Sequence, residues 1–201
     1  EFSYPSNHGE LRGVIWDQVK NPIATVQIFH GLVEYHARYD ETAKFLNKHG
    51  FIVYCNDHLG HGLNVTAGGT RGFFKEDNGY EAVVDQLGEL NAIIRKERQT
   101  LKHFVLSHSL GTCLLLTLLK RNVFFDGVVM SAAFSVNRFM LTLNKLLLLP
   151  EYLIKGKFGI SDEMEKLTTQ KHNSFFEPNR TSHDYLSSDR KKAVSYTHLT
   201  L

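Results

Sequence analysis

The stretch Val105–Thr112, "VLSHSLGT", places a serine between a strand-like apolar run and a helix-like apolar run. A sharp turn at such a junction lifts one side chain above a sheet and points the first amides of the helix at it. The pattern is close to G-x-S-x-G, with Ser109 at the nucleophile position, Gly111 after it and Ser107 in place of the first glycine. Since Ser107 is the smallest polar replacement, we expect the turn to form. The alternative is an ordinary serine that caps a buried helix.

Short apolar runs alternate with segments of helical period on both sides of this stretch. The predicted strands are residues 11–16, 24–29, 51–55, 103–107 and 125–132, and the predicted helices are residues 38–49, 79–97 and 110–122. This alternation predicts an α/β fold with a doubly wound, mainly parallel sheet over residues 1–134.

After residue 134 the pattern changes. Residues 135–190 contain helical pieces and no buried-strand run, so they predict a helical cap inserted above the sheet, broken at Pro150, Gly156, Gly159 and Pro178. Residues 191–201 match neither pattern, and we expect them to be a non-native or truncated tail. The chain is therefore expected to end inside or just past the cap.

Composition limits the class of protein and its partners. A chain of 201 residues with 42% hydrophobic content can bury one core, so we expect one domain or one domain with an insertion. The 23 basic and 21 acidic residues are spread along the chain, which argues against a nucleic-acid partner. Cys55 and Cys113 lie in apolar runs and are predicted to be buried thiols of a reducing compartment, which favours a cytoplasmic location.

A serine nucleophile that transfers acyl groups needs two backbone amides to bind the oxyanion. Leu110, directly after Ser109, supplies one. The segment "HGLVEYH" follows the predicted strand 24–29, so Leu32 is the natural second donor. The alternative is that His30 and Gly31 only form a turn.

The combination of motifs resembles one branch of a known superfamily. The segments "HGLVEYHARYDETAKFLNKHGFIVYCNDHLGHG", "RGFF", "VVDQL", "SHSLG" and "FDGVVMSA" are similar to the monoacylglycerol lipases and lysophospholipases among the α/β-hydrolases, a domain also known as serine aminopeptidase. The resemblance runs from about Phe2 to Asp189 and implies Ser109 as nucleophile, with Leu32 and Leu110 as oxyanion donors. It implies site-shaping, non-catalytic roles for His30, Gly31, His108, Gly111, Asp57, His58, His61 and Gly62.

The acid and base of such a site are harder to place. In this fold they follow the serine in the order acid, then histidine. The candidates after Ser109 are Asp126, Asp162, Asp184 and Asp189 for the acid, and His172, His183 and His198 for the base. None follows a recognisable core strand, and Asp126 precedes its strand. We therefore expect the acid and base to lie beyond residue 201 and this chain alone to be inactive.

The expected function is hydrolysis of carboxylic esters through an acyl-enzyme on Ser109, with no cofactor and no metal. The apolar segment Phe139–Ile154 is interpreted as a lid that meets an acyl chain, which favours lysophospholipid or monoacylglycerol esters and is compatible with peripheral membrane contact. A cap helix that simply packs on the core is the alternative. The rival functions are a non-catalytic binding protein, a serine peptidase, and a metallohydrolase based on His58 and His61, for which a third ligand is missing.

Overall fold

The computed structural model describes residues 1–133, 138–156, 158–159, 161, 170–181 and 183–189. The chain divides into two compact units, Glu1–Phe134 together with Leu201, and Ser135–Thr200. The first unit carries the sheet and the second is helical in its described parts.

The first unit is built on one six-stranded sheet. Its order is β1-β2-β4-β3-β5-β6; β2 is antiparallel to β1 and β4, whereas β4, β3, β5 and β6 are mutually parallel. The strands are β1 (Phe2–Ser6), β2 (Gly9–Trp16), β3 (Ala24–Phe29), β4 (Phe51–Asn56), β5 (Lys102–His108) and β6 (Gly127–Ser131). The prediction of a mainly parallel α/β sheet is confirmed, and the carboxyl ends of four strands meet at one edge.

Four helices belong to the first unit and two to the described part of the second. They are α1 (Asp40–Lys48), α2 (Gly62–Thr66), α3 (Gly79–Glu97), α4 (Leu110–Lys120), α5 (Arg138–Lys155) and α6 (Lys171–Asn173), with 3₁₀ turns at His36–Tyr39, Ser174–Phe176 and Asp184–Leu186. The sequence did not predict β1 or α2. Both are only five residues long, too short for a periodic signal to stand out.

The helices of the first unit cover both faces of the sheet. On one face, Phe29 and Val105 pack against apolar side chains of α3 and α4, among them Leu87 and Leu114. On the other face, Ile28 packs in a cluster that includes residues of α1 and β4. Because neighbouring residues of a strand point to opposite faces, β3 is buried along its whole length. The central strands therefore hold the loops at their carboxyl ends in fixed places.

The predictions for Pro150 and Cys113 were wrong at least in part. Pro150 lies inside α5 and does not break it. A proline removes one helical hydrogen bond, and the other hydrogen bonds of this 18-residue helix are enough to keep it continuous. Cys55 is buried as predicted, whereas Cys113 is only partly buried because it lies on the outer side of α4. No described helix is both long enough and apolar enough to span a membrane.

Among the residues that the structure describes, β6 is the last strand of the sheet and pairs only with β5. Three consecutive apolar side chains of β6 are exposed, with Val128 at 41%, Val129 at 60% and Met130 at 43% of their full accessible surface. An edge strand of this kind presents unpaired backbone groups beside apolar surface.

Candidate active site

Ser109 occupies the sharp turn between β5 and α4. Its backbone has φ +49° and ψ −113°, a conformation that few residues other than glycine adopt. Two contacts hold it: the Ser109 amide donates to the carbonyl oxygen of Ser131 at 3.0 Å, and the Ser109 carbonyl accepts from the amide and hydroxyl of Thr112. Such a backbone strain costs on the order of 1–3 kcal/mol and is typical of functional turns. The predicted strand–turn–helix is therefore present.

The small residues two positions before and two positions after Ser109 make different contacts. A Cβ on Gly111 would overlap the carbonyl of Phe29 and come within 3.0 Å of the carbonyl oxygen of His30, so only glycine fits. Ser107, by contrast, is fully buried, and its hydroxyl donates to the carbonyl oxygen of Val129 in β6 at 3.3 Å. The missing first glycine is thus accommodated, because the hydroxyl of the buried serine finds an acceptor in the neighbouring strand.

The loop after β3 is organised by one buried carboxylate. Glu34 is 4% exposed and accepts hydrogen bonds from the Gly31 amide at 2.9 Å, the Tyr39 hydroxyl at 2.8 Å and Nε of Arg38 at 2.7 Å. Next to it, Val33 has φ +62°, and its amide donates to Nε2 of His61 at 3.3 Å. The loop is therefore a tight turn fixed by side chains on both of its flanks.

Neither amide predicted to bind an oxyanion donates a hydrogen bond to another described residue. Among the described residues, the amide of Leu32 has no hydrogen-bond acceptor, although its neighbours Gly31 and Val33 both do. Leu110 is the first residue of α4, a position whose amide has no acceptor within its own helix. Leu32 lies on the loop after β3 and Leu110 at the start of the helix after β5, and β3 and β5 are adjacent strands of the sheet. Their role as oxyanion donors stays a prediction.

Three buried histidines support this edge of the sheet. His30 and His58 stack with ring centroids 3.6 Å apart; His30 accepts from the His58 amide through Nε2, and His58 contacts the carbonyl of His30 through its own Nε2. Burial, and then the neighbouring imidazoles, lower the pKa of His30 well below its usual value and that of His58 to about 3. Burial also lowers the pKa of His61. All three rings are thus neutral at pH 7 and act as scaffold.

Asp57 fixes the loop after β4. Its carboxylate is fully buried and accepts from the amide of His36 at 2.7 Å, from Nδ1 of His36 at 2.8 Å and from the amide of Leu63 at 2.9 Å. Gly62 has φ +44°, and a Cβ there would overlap this carboxylate. Both oxygens of Asp57 are thus engaged by donors of its own surroundings, and its non-catalytic role stays a prediction.

His108 connects the serine turn with the loop after β3. Its Nδ1 lies 3.2 Å from the hydroxyl of Ser131, and its Nε2 lies 4.0 Å from Oε1 of Glu34. A Cβ on Gly31 would come within 3.2 Å of the His108 ring, so the ring lies close to the Gly31 backbone. Gly31 and His108 therefore shape the same contact.

Asp126 and Asp184 each form hydrogen bonds with residues of their own unit. Asp126 lies before β6, where it accepts from the His103 amide at 2.8 Å and from Arg95 at 3.2 Å. Asp184 accepts from backbone amides of Arg180 and Thr181, which lower its pKa to about 2. Within the described ranges, no side chain forms a hydrogen bond with the Ser109 hydroxyl. Asp162 and His198 lie outside the described residues.

The candidate bases and the metal ligands can be placed in part. His172 and His183 belong to the second unit, where both rings lie near Tyr185. His61 engages both ring nitrogens with backbone groups, at Leu59 and Val33. Over the part of the chain that the structure describes, no three His, Cys, Asp or Glu side chains come together as metal ligands.

A parallel sheet with helices on both faces and a strained serine turn before α4 defines an α/β-hydrolase core. The family model for the serine aminopeptidase S33 domain matches residues 20–198. This chain therefore belongs to the serine aminopeptidase S33 family of α/β-hydrolases, on its monoglyceride-lipase-like branch.

The relatives in sequence include monoglyceride lipases. The chain is 30% identical over 103 residues to the monoglyceride lipase homolog of Monkeypox virus, a match covering 48% of this chain and 33% of that protein. It is 29% identical over 116 residues to monoglyceride lipase of Rattus norvegicus, covering 57% of this chain and 36% of that protein. The matched segment thus spans about a third of the length of these relatives.

Solved structures show the same fold at lower identity. A thermostable carboxyl esterase from Bacillus coagulans superposes with a TM-score of 0.81 at 23% identity, covering 98% of this chain and 64% of that one. A monoglyceride lipase from Saccharomyces cerevisiae superposes with a TM-score of 0.58 at 19% identity, covering 76% of this chain and 50% of that one. These likenesses establish the fold.

Proposed function

We propose that the protein is a serine hydrolase that cleaves carboxylic esters through Ser109. The Ser109 oxygen attacks the carbonyl carbon, its proton passes to a base, and the negative oxygen accepts hydrogen bonds from the amides of Leu32 and Leu110. The alcohol leaves with the proton from the base, and water then releases the acid and restores the serine. The observation that carries the proposal is the strained Ser109 turn together with the Leu32 amide, which has no acceptor among the described residues although the amides of Gly31 and Val33 on either side of it do.

The substrate class we propose is a lipid-like ester, such as a monoacylglycerol or a lysophospholipid. The names of the sequence relatives support a monoglyceride. The second support is α5, a helix with a large exposed apolar surface, formed by Phe139, Leu141, Leu143, Leu146, Leu147, Leu149, Tyr152, Leu153 and Ile154. Such a surface suits an acyl chain or the surface of a membrane. The unpaired Cys55 and Cys113 support a cytoplasmic location.

We further propose that the acid and base are supplied by residues outside the described ranges. The support is the Ser109 hydroxyl, which has no hydrogen-bonded side chain among the described residues. A Ser109 without its base would turn over little ester, because loss of one triad member costs orders of magnitude in rate. This same observation favours the second candidate function, a non-catalytic binding protein that keeps the hydrolase fold.

The test is phosphonylation of Ser109 by a fluorophosphonate, with and without added imidazole. Imidazole can take the serine proton in place of an absent histidine, so we expect slow labelling alone and faster labelling as imidazole is raised, with the adduct mapped to Ser109 by mass spectrometry. The Ser109→Ala variant is the matched control and should not label. Rapid labelling without imidazole would show that a base is already present. A Ser109 that does not label under either condition would favour the binding protein.

Two further measurements separate the rival enzymes. A chelator should leave imidazole-assisted labelling unchanged, whereas a metallohydrolase loses its activity when its metal is removed. A series of p-nitrophenyl esters and matching anilides, assayed with imidazole, should show ester cleavage that rises with acyl-chain length and little anilide cleavage. Preference for the anilides would instead support a serine peptidase, since the same turn serves both reactions.

A further inference from the structure

We propose that Glu34 is a positioning residue that directs the Leu32 amide to the reacting oxygen, by holding the loop after β3 closed around its own carboxylate. The proposal rests on the proposed function of Ser109. It assigns to Glu34 no contact with substrate and no proton transfer. By accepting a hydrogen bond from the Gly31 amide, the Glu34 carboxylate leaves the neighbouring Leu32 amide as the free donor.

The backbone amides of three successive residues in this loop, Gly31, Leu32 and Val33, differ in their hydrogen-bond acceptors. The Gly31 amide donates to Oε2 of Glu34 at 2.9 Å, and the Val33 amide donates to Nε2 of His61 at 3.3 Å. Only the Leu32 amide between them has no acceptor among the described residues. Of these three amides, the two side-chain acceptors therefore leave that of Leu32 as the available donor.

The carboxylate can do this because donors surround both of its oxygens. Oε2 accepts from Gly31 and from the hydroxyl of Tyr39, and Oε1 accepts from Nε of Arg38. Burial and the adjacent Glu34 raise the pKa of Tyr39, so its hydroxyl keeps the proton that it donates. A buried carboxylate is tolerated only with such partners. With both oxygens engaged, Glu34 is poorly placed to act as a general base.

Glu34 also ties the loop to the serine turn. Its Oε1 lies 4.0 Å from Nε2 of His108, the residue before Ser109, and Gly31 lies against the His108 ring. If the carboxylate is removed, the Gly31 amide loses its acceptor, and the strained Val33 is held on one side only. A shift of the loop then changes the distance between the Leu32 amide and Ser109. Displacements of about 1 Å at a reacting centre cost about 100-fold in rate.

The experiment compares Glu34→Ala and Glu34→Gln in the full chain, with imidazole-assisted labelling of Ser109 as the rate. Glu10→Ala is the matched control, because Glu10 is an exposed glutamate of β2. We expect Glu34→Ala to lower the labelling rate by about tenfold or more, less than the ~100-fold or greater loss that follows complete removal of an oxyanion donor. Glu10→Ala should leave the rate unchanged. Glu34→Gln keeps an oxygen for the Gly31 amide and should recover most of the rate.

A second readout, the proton shift of the Gly31 amide in ¹⁵N spectra, separates positioning from a merely structural role. An amide bound to a carboxylate resonates downfield, so the labelling rate should follow the Gly31 shift across the variants and not follow the midpoint of urea unfolding. Should Glu34→Ala fail to fold, Glu34→Gln carries the test alone. A Gln variant that loses the Gly31 hydrogen bond but labels at the original rate, or keeps the bond but labels slowly, overturns the proposal.

The two proposals fail in different ways. If the unaltered chain does not label at Ser109 even with imidazole, the proposed function is wrong. If it labels normally and the folded Glu34→Ala variant labels just as fast, Ser109 is confirmed as reactive and the positioning role of Glu34 is wrong.

Discussion

Replacing Gly111 by alanine tests the packing on which the serine turn depends. A Cβ at this position would overlap the carbonyl oxygen of Phe29 and lie 2.7 Å from its carbonyl carbon and 3.0 Å from the carbonyl oxygen of His30. Ordinary contacts of this kind exceed about 3.4 Å, and the obstructing atoms are backbone of a fully buried strand. Since β3 cannot give way, α4 must move outward. We expect a loss of about 1–3 kcal/mol in the free energy of unfolding from this overpacking.

A loss of stability at Gly111 would be opposite in sign to the usual effect of replacing a helical glycine by alanine. Glycine to alanine in a helix ordinarily stabilises by up to about 1 kcal/mol. Gly88 in α3 is the matched control, because a Cβ there meets only the terminal methyl of Leu118 at 3.2 Å, which can rotate away. Urea unfolding followed by circular dichroism should show Gly88→Ala neutral or slightly stabilised and Gly111→Ala destabilised. If Gly111→Ala unfolds at the same midpoint as the unaltered chain, the close approach of α4 to β3 is wrong.

Three further outcomes follow from individual side chains. Burial lowers the pKa of His103 to about 4, below the unfolded value of about 6.5, so stability should fall as the pH drops from 6.5 to 4, by up to about 3 kcal/mol, and His103→Asn should flatten that slope in urea unfolding at pH 7 and 4.5. Ser107→Gly should lose about 1 kcal/mol of stability through strand entropy and the lost hydrogen bond, while Ser109 labelling stays within about twofold. Val129→Lys should reduce concentration-dependent light scattering, whereas Gln99→Lys, which adds the same charge at an exposed site, should not.

The sheet and the serine turn could be predicted because their signals are local. β3, β4 and β5 are short apolar runs in the sequence, and the helices α3 and α4 carry long periodic faces, so their order alone indicates a parallel sheet. Ser109 was identifiable because the turn needs a small residue at Gly111, and that need is visible in the residue type. Pro150 was wrongly predicted to break a helix, because a proline marks a helix end only statistically.

The convergence of several donors on Glu34 could not be predicted from the sequence in this way. Its partners Gly31, Arg38 and Tyr39 lie within five residues of it along the chain, but nothing in their types indicates that they converge on one carboxylate. A glutamate in a polar loop is normally exposed. The stacking of His30 on His58 is equally invisible, since it depends on how two loops from different strands approach.

The free amides and the strained residues occur together, and a physical reason connects them. In a regular helix or strand nearly every amide is consumed by the hydrogen-bond ladder, so a donor for a ligand can exist only where the ladder is interrupted. Leu110 directly follows Ser109 and Leu32 directly precedes Val33, and these two residues have φ of +49° and +62°. Each left-handed residue turns the chain out of the ladder and exposes the adjacent amide.

That geometry has to be maintained against the strain of on the order of 1–3 kcal/mol at each left-handed residue. At Ser109 the neighbouring strand does so, because the carbonyl of Ser131 accepts the Ser109 amide. At Val33 there is no neighbouring strand, and the task falls to His61 and Glu34. The loop after β3 therefore depends on two side chains where the serine turn depends on backbone, which makes the position of the Leu32 amide the more sensitive of the two to substitution.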